Sequence, residues 1–225
     1  MNAFLFDACD IIYHRPGYEQ KLESYFGPEW RVLNKQNRKK IKALQARAAR
    51  GKISLDEMYD GISSLYGRPA RYRARDRRFL ARAMAEITFF DGVRDTLHHL
   101  HDDGFKLAIV TNSFQPGKTK LEWFSKAGID KIWDAFITSS ETGAFKPEPE
   151  IFFTTLGQLG CKAQDAAFIA HSADELNGAK AIGMTTIAFN RDDETVRADY
   201  IIGHFSELLD LARSLRRKAS GGTVI

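Results

Sequence analysis

The sequence is poor in cysteine: of its 225 residues only Cys9 and Cys161 carry a thiol. They lie far apart, each in an apolar stretch, which argues against a disulfide framework and against a cysteine metal site and fits a reducing compartment. Long hydrophobic runs are absent too. No stretch approaches the ~20 apolar residues that a membrane span requires. The opening Met1-Asn2-Ala3-Phe4-Leu5-Phe6-Asp7 has neither a basic leader nor a small-residue cleavage site, so no signal peptide is expected and a cytoplasmic location is. Internal repeats and low-complexity segments are missing, and only Ala219-Ser220-Gly221-Gly222 reads as a frayed tail.

What is present is an ordinary globular composition, 44% hydrophobic and 28% charged, at a length that suits one sizeable α/β core with a small appendage. The net charge of +4 is unevenly placed. Between His14 and Asp91, Lys and Arg outnumber Asp and Glu 18 to 9, with clusters at Arg38-Lys39-Lys40 and from Arg68 to Arg82. A solvated helical face accounts for such clusters most simply. Attraction of a small anionic substrate comes next, and nucleic acid last.

Phe4-Leu5-Phe6 before Asp7 is a short buried-strand signal. From Tyr18 to about Phe89 the pattern is helical, with runs such as Asn37 to Arg50 and Asp56 to Leu65, the second opened by a capping box at Ser54-Leu55-Asp56-Glu57. After Asp91-Gly92 helices alternate with the apolar segments Leu107 to Val110, Ala135 to Ile137, Ala167 to Ile169, Thr185 to Ala188 and Tyr200 to Ile202. That alternation predicts right-handed βαβ units in a Rossmann-like three-layer core, a parallel sheet covered on both faces. The expected division is a core of residues 1–13 and 92–225 with an all-helical insert of residues 14–91.

In such a sheet ligands sit beyond the carboxyl ends of the strands, and four segments deliver polar residues to that rim. They are Asp7-Ala8-Cys9-Asp10, Thr111-Asn112-Ser113, Lys146-Pro147-Glu148-Pro149 and His171-Ser172-Ala173-Asp174-Glu175. A carboxylate after an apolar strand can act as a nucleophile, hydroxyls and amides can hold an anion, and a lysine can neutralise the carboxylate and developing charge.

In order and over nearly its whole length the chain resembles the haloacid dehalogenase-like superfamily. Phe4-Leu5-Phe6-Asp7 is similar to the first family motif, Ile109-Val110-Thr111-Asn112-Ser113 to the second, and Gly143-Ala144-Phe145-Lys146-Pro147-Glu148-Pro149 to the third; Gly178-Ala179-Lys180-Ala181-Ile182-Gly183-Met184 resembles the helix after the fourth. The place of the insert matches the subclass whose helical cap follows the first motif, and Gly51 to Tyr59 resembles a recurring cap segment. The resemblance implies that Asp7 forms a covalent aspartyl intermediate on a small, phosphorylated or otherwise anionic substrate. Thr111 would hold the transferred group and Lys146 would steady both charges. It places Cys9, Asp10, Asn112, Ser113 and His171 at the substrate, and Asp7, the backbone of Cys9 and Glu175 around Mg²⁺.

Two positions depart from the family pattern. Cys9 stands where phosphatases of the family carry their acid-base aspartate, with Asp10 one position late, a shift that turns a side chain to the other face. His171 stands where the metal-binding aspartate is usual, and Mg²⁺ prefers oxygen to imidazole. His171 could be a general base. Cys9 reads as a small apolar side chain or, less simply, as a thiolate nucleophile. Three readings stay open: a phosphatase-like hydrolase, a metal-independent dehalogenase-like hydrolase, and a non-catalytic binding protein.

Overall fold

The computed structural model describes residues 1–219; the tail from Ser220 lies outside the described residues. Six strands form one parallel sheet: β1 (Ala3–Phe6), β4 (Lys106–Thr111), β5 (Ala135–Thr138), β6 (Ala166–Ala170), β7 (Thr185–Ala188) and β8 (Tyr200–Ile201), in the order β5-β4-β1-β6-β7-β8. The central strand β1 is buried at every residue because both faces of the sheet are covered. Phe4 and Phe6 point into one core with Leu107, Ile109 and Phe205. Leu5 alternates into the other, with Ala108, Val110 and Phe152.

The covering helices are α5 (Val93–Asp102), α6 (Gly117–Phe124), α8 (Pro149–Leu159), α9 (Ala173–Ala181) and α10 (Glu207–Ala219), with the single turn α7 (Ser139–Thr142) after β5. The three-layer α/β architecture predicted from the alternation of apolar segments is therefore the one observed. No helix among the described residues is long and apolar enough to cross a membrane.

Between β1 and α5 the chain builds α1 (Tyr18–Phe26), α2 (Trp30–Ala49), α3 (Leu55–Leu65) and α4 (Arg73–Ala85). The capping box is formed: Glu57 N donates to Ser54 Oγ at 3.2 Å and Ser54 N to Glu57 Oε2 at 2.8 Å. These helices bury a core of their own that includes Leu22, Trp30, Ile41, Met58, Ile62 and Leu80. The segment is not wholly helical. Two-residue strands β2 (Tyr13–His14) and β3 (Thr88–Phe89) pair antiparallel, Tyr13 opposite Phe89, and bring the entry and exit of the helical segment side by side. A pair this short leaves no periodicity to read in the sequence.

The helical segment also holds a buried charge. Asp76 is fully buried and accepts from the Tyr25 hydroxyl at 2.8 Å and from Ser63 Oγ, with the Arg68 guanidinium at 3.3 Å. Asp76→Ala removes the counter-charge of Arg68 and the acceptor for two hydroxyls, and is expected to cost about 3 kcal/mol. Urea denaturation should show the midpoint fall with no change in slope.

Candidate functional site

Because β1, β4 and β6 run in register, with Phe6 level with Ile109 and Ile169, their carboxyl ends bring Asp7, Thr111 and His171 to one rim. Asp7 is 6% exposed, and its N–H continues the ladder to the Ile169 carbonyl at 3.0 Å. Lys146, 2% exposed, reaches in from the loop before α8 and places Nζ 2.7 Å from Asp7 Oδ1 and 2.8 Å from Glu175 Oε2. On the other side His171 sets Nε2 3.6 Å from Asp7 Oδ2, while its Nδ1 lies 2.7 Å from Asp192 Oδ1.

The electrostatics follow from that packing. Burial would raise the proton affinity of Asp7, but Lys146 and His171 outweigh it and hold the carboxyl well below the usual range. Pairing with Asp7, helped by Asp192 and opposed by burial, raises His171 to about 9, so the ring is a cation at neutral pH. Burial pushes Glu175 upward against the pull of Lys146, and the charge on Asp7 adds to the rise. Burial would lower Lys146, yet the carboxylates of Asp7 and Glu175 reverse it. Asp7 is thus an ionised carboxylate between two cations.

Asn112 was expected at the substrate; its side chain instead clamps the Lys146 backbone, accepting from Lys146 N at 2.8 Å and donating to Lys146 O at 2.9 Å. The Ser113 hydroxyl is used locally, donating to Gln115 O and accepting from Gln115 N, both at 3.0 Å. Thr111 is buried at the end of β4. Asp10 takes a left-handed backbone at φ 61°, and its carbonyl accepts from Asn190 Nδ2 at 2.9 Å. The close approach of α9 to the loop requires glycine at 178: a Cβ there would lie 2.6 Å from the Pro147 carbonyl oxygen.

Cys9 turns toward a second cluster that sequence reasoning missed. The Arg15 guanidinium donates to Cys9 Sγ at 3.4 Å and to the Tyr13 hydroxyl at 3.1 Å, and buried Lys120 donates to the same hydroxyl at 2.8 Å. Burial pushes the Cys9 thiol up to about 11 despite Arg15, which removes it as a thiolate. Burial, with Arg15 beside it, lowers Lys120 to about 8. Asp192 was missed as well, its only signal being an acid in the polar loop after β7.

The residues at the rim do not fit Mg²⁺. Both Asp7 oxygens face cations, Glu175 faces Lys146 and the Asn112 amide, and a protonated His171 offers no lone pair. Among the described residues no group of three His, Cys, Asp or Glu side chains is placed to hold a metal ion.

The model of the family described as haloacid dehalogenase-like hydrolase matches residues 19–189, a span that holds Thr111, Lys146, His171 and Glu175 but begins after Asp7. Among curated relatives, the pyrophosphatase PpaX of Halalkalibacterium halodurans is 28% identical over 54% of this chain and 59% of its own length. The glyceraldehyde 3-phosphate phosphatase of Methanopyrus kandleri is 26% identical over 96% of this chain and 99% of its own. The alignment with the first thus spans little more than half of each protein, and that with the second nearly all of both. Among solved structures, a phosphatase of the same family from Thermococcus onnurineus is 26% identical with a TM-score of 0.65, covering all of both chains. A dehalogenase superposes with a TM-score of 0.72 at 19% identity, over 94% of this chain and 96% of its own, and so speaks to the fold. The match over most of the chain, with the strand-end residues in the family's order, makes this protein a member of the haloacid dehalogenase-like hydrolase family.

Proposed function

We propose that the protein is a metal-independent hydrolase in which the Asp7 carboxylate attacks a small anionic substrate, with Lys146 and His171 supplying the positive charge that a divalent ion would otherwise provide. The observation that carries this reading is the position of Asp7, ionised, with a cation on each oxygen. An Asp7 oxygen forms a bond to the electrophilic centre, the bond to the leaving group breaks with its electron pair, and water then cleaves the ester to regenerate the carboxylate. Thr111 N–H and hydroxyl groups at the rim hold the anion, Lys146 and His171 counter the charge that develops, and Asn112 acts by fixing Lys146.

Cys9, at the position of the family's acid-base aspartate, is held by Arg15 and is a poor proton donor. Substrates whose leaving groups depart as stable anions, such as a halide, an aryl oxide or the phosphate expelled from an anhydride, suit the site best. Residues 14–91 form a cap over a core of residues 1–13 and 92–225. The Arg50–Glu148 ion pair at 2.7 Å and the Gln115–Tyr59 hydrogen bond at 2.8 Å hold it down, and opening it admits substrate. The basic faces of the cap draw in small anions rather than nucleic acid, and two free cysteines suit a cytoplasmic setting.

Two outcomes are expected. When 4-nitrophenyl phosphate and 2-chloropropionate are each mixed with the protein and quenched, mass spectrometry should find an adduct on the peptide containing Asp7 with at least one of them. Asp7→Asn should abolish both adduct and turnover, and an unmodified Asp7 with undiminished turnover in the variant would refute the reading. The second concerns pH. The folded state raises His171 from 6.5 to about 9, so its stabilising contribution is full below pH 6.5 and is lost as pH rises through 9. The stability difference between wild type and His171→Gln, measured by urea denaturation, should therefore shrink between pH 7 and 10.

A further inference from the structure

The arginines between residues 68 and 82 fall into two sets, a division that the chemistry at Asp7 does not explain. Arg68, Arg73 and Arg77 are balanced, lying 3.3 Å from Asp76, 3.9 Å from Asp60 and 2.5 Å from Asp56 respectively. Arg75, Arg78 and Arg82 recur at helical spacing on the opposite face of α4, all exposed, and among the described residues none of them makes an ion pair. Glu86, whose charge reaches Arg82, is itself bound to Lys21 at 2.6 Å. Like charges one turn apart weaken a helix. A face kept basic only for solubility would intersperse acids among them; here the acids sit with the balanced set.

Two open grooves meet on this face. One, of about 510 Å³, is lined by the three arginines with Tyr25 and Phe79. The other, of about 570 Å³, is lined by the same two rings and by Gln20, Lys21 and Ser24 of α1. Both volumes lie within the ~300–1,000 Å³ usual for ligand pockets. Tyr25 and Phe79 stack with centroids 3.7 Å apart and planes 5° from parallel, and form the wall the grooves share. The Arg75 guanidinium lies 5.6 Å over the Tyr25 ring, so one of the three cations already stands against the stack. Neither groove is lined by a residue of the Asp7 rim.

We infer that this exposed face of the cap is a second, non-catalytic site that binds a nucleoside triphosphate, with the phosphates on Arg75, Arg78 and Arg82 and the base against Tyr25 and Phe79. From Arg75 to Arg82 the helix rises ~10 Å, a span that long side chains close onto a chain of three phosphates, to which guanidinium groups donate in pairs. A base gains by stacking on aromatic rings, and exposed Gln20 and Ser24 offer amide and hydroxyl groups to its edge. A bare anion would leave the rings unused, and an uncharged ring would leave the arginines unbalanced. The inference does not depend on the reading of Asp7.

Calorimetry with ATP, inorganic tripolyphosphate and adenosine tests this on the full chain carrying Asp7→Asn, so that no turnover at Asp7 consumes the probe. ATP should bind once per chain with a Kd of about 100 μM or tighter, and tripolyphosphate and adenosine each about tenfold more weakly or worse. Arg78→Gln with Arg82→Gln, both exposed, should weaken ATP about tenfold or more. Arg38→Gln with Lys42→Gln, which removes the same charge from exposed positions on α2, should leave ATP binding unchanged. Hydrogen exchange should show that ATP protects amides of α1 and α4. Absent ATP binding, tripolyphosphate or adenosine binding as tightly as ATP, equal losses in the two double variants, or protection at residues 7–10 and 111–113 instead would overturn the inference. So would an oligothymidylate that binds more tightly than ATP through the same two arginines, since the face would then be a nucleic-acid surface.

Discussion

A buried ammonium group must be surrounded by anions, and the rim of this sheet is organised by that requirement at Lys146. With its side chain out of water, Lys146 stays charged only because Asp7 and Glu175 lie within 2.8 Å. The same contacts keep Asp7 ionised, so Asp7 and Lys146 hold each other in their charged forms. The rest of the local structure holds that lysine in place. Asn112, directly after β4, brackets its backbone on both sides, and the lack of a side chain at Gly178 lets α9 press against Pro147. Glu148, two residues on, ties the same loop to Arg50 of the cap. One short loop thus joins the helical segment to the lysine that balances Asp7.

His171 supplies the second half of the account. A carboxylate at that position would add negative charge beside Asp7 and call for a divalent cation; the imidazolium adds positive charge and does not. Asp192 completes the change by holding the far side of the ring at 2.7 Å, which fixes its orientation and favours its protonated form. The loss of an acid at residue 9 is consistent with the same chemistry, since the thiol there is drawn aside into the Arg15, Tyr13 and Lys120 cluster.

Much of this was legible in the sequence, for physical reasons. The apolar segments of a sheet buried on both faces stand out from amphipathic helices, so each strand could be located, and with it the strand-end positions of Asp7, Thr111 and His171. Lys146 and Glu175 were found through their place in the family's order. The β2 and β3 pair was not legible, because two residues carry no period. Nor were the partners of Asn112 and Ser113, whose hydrogen bonds depend on how loops fold back after the strands end. Asp192 lies 21 residues beyond His171 in a run of polar residues that reads as any exposed loop.

The most direct test is to compare turnover of one reactive substrate, such as 4-nitrophenyl phosphate or 2-chloropropionate, by metal-stripped wild-type protein and by His171→Asp, each with and without Mg²⁺. If Lys146 and His171 supply the charge, the stripped wild type retains full turnover and Mg²⁺ adds nothing, while His171→Asp loses activity until Mg²⁺ is restored. Wild-type turnover that vanishes on stripping and returns with Mg²⁺ would contradict the account.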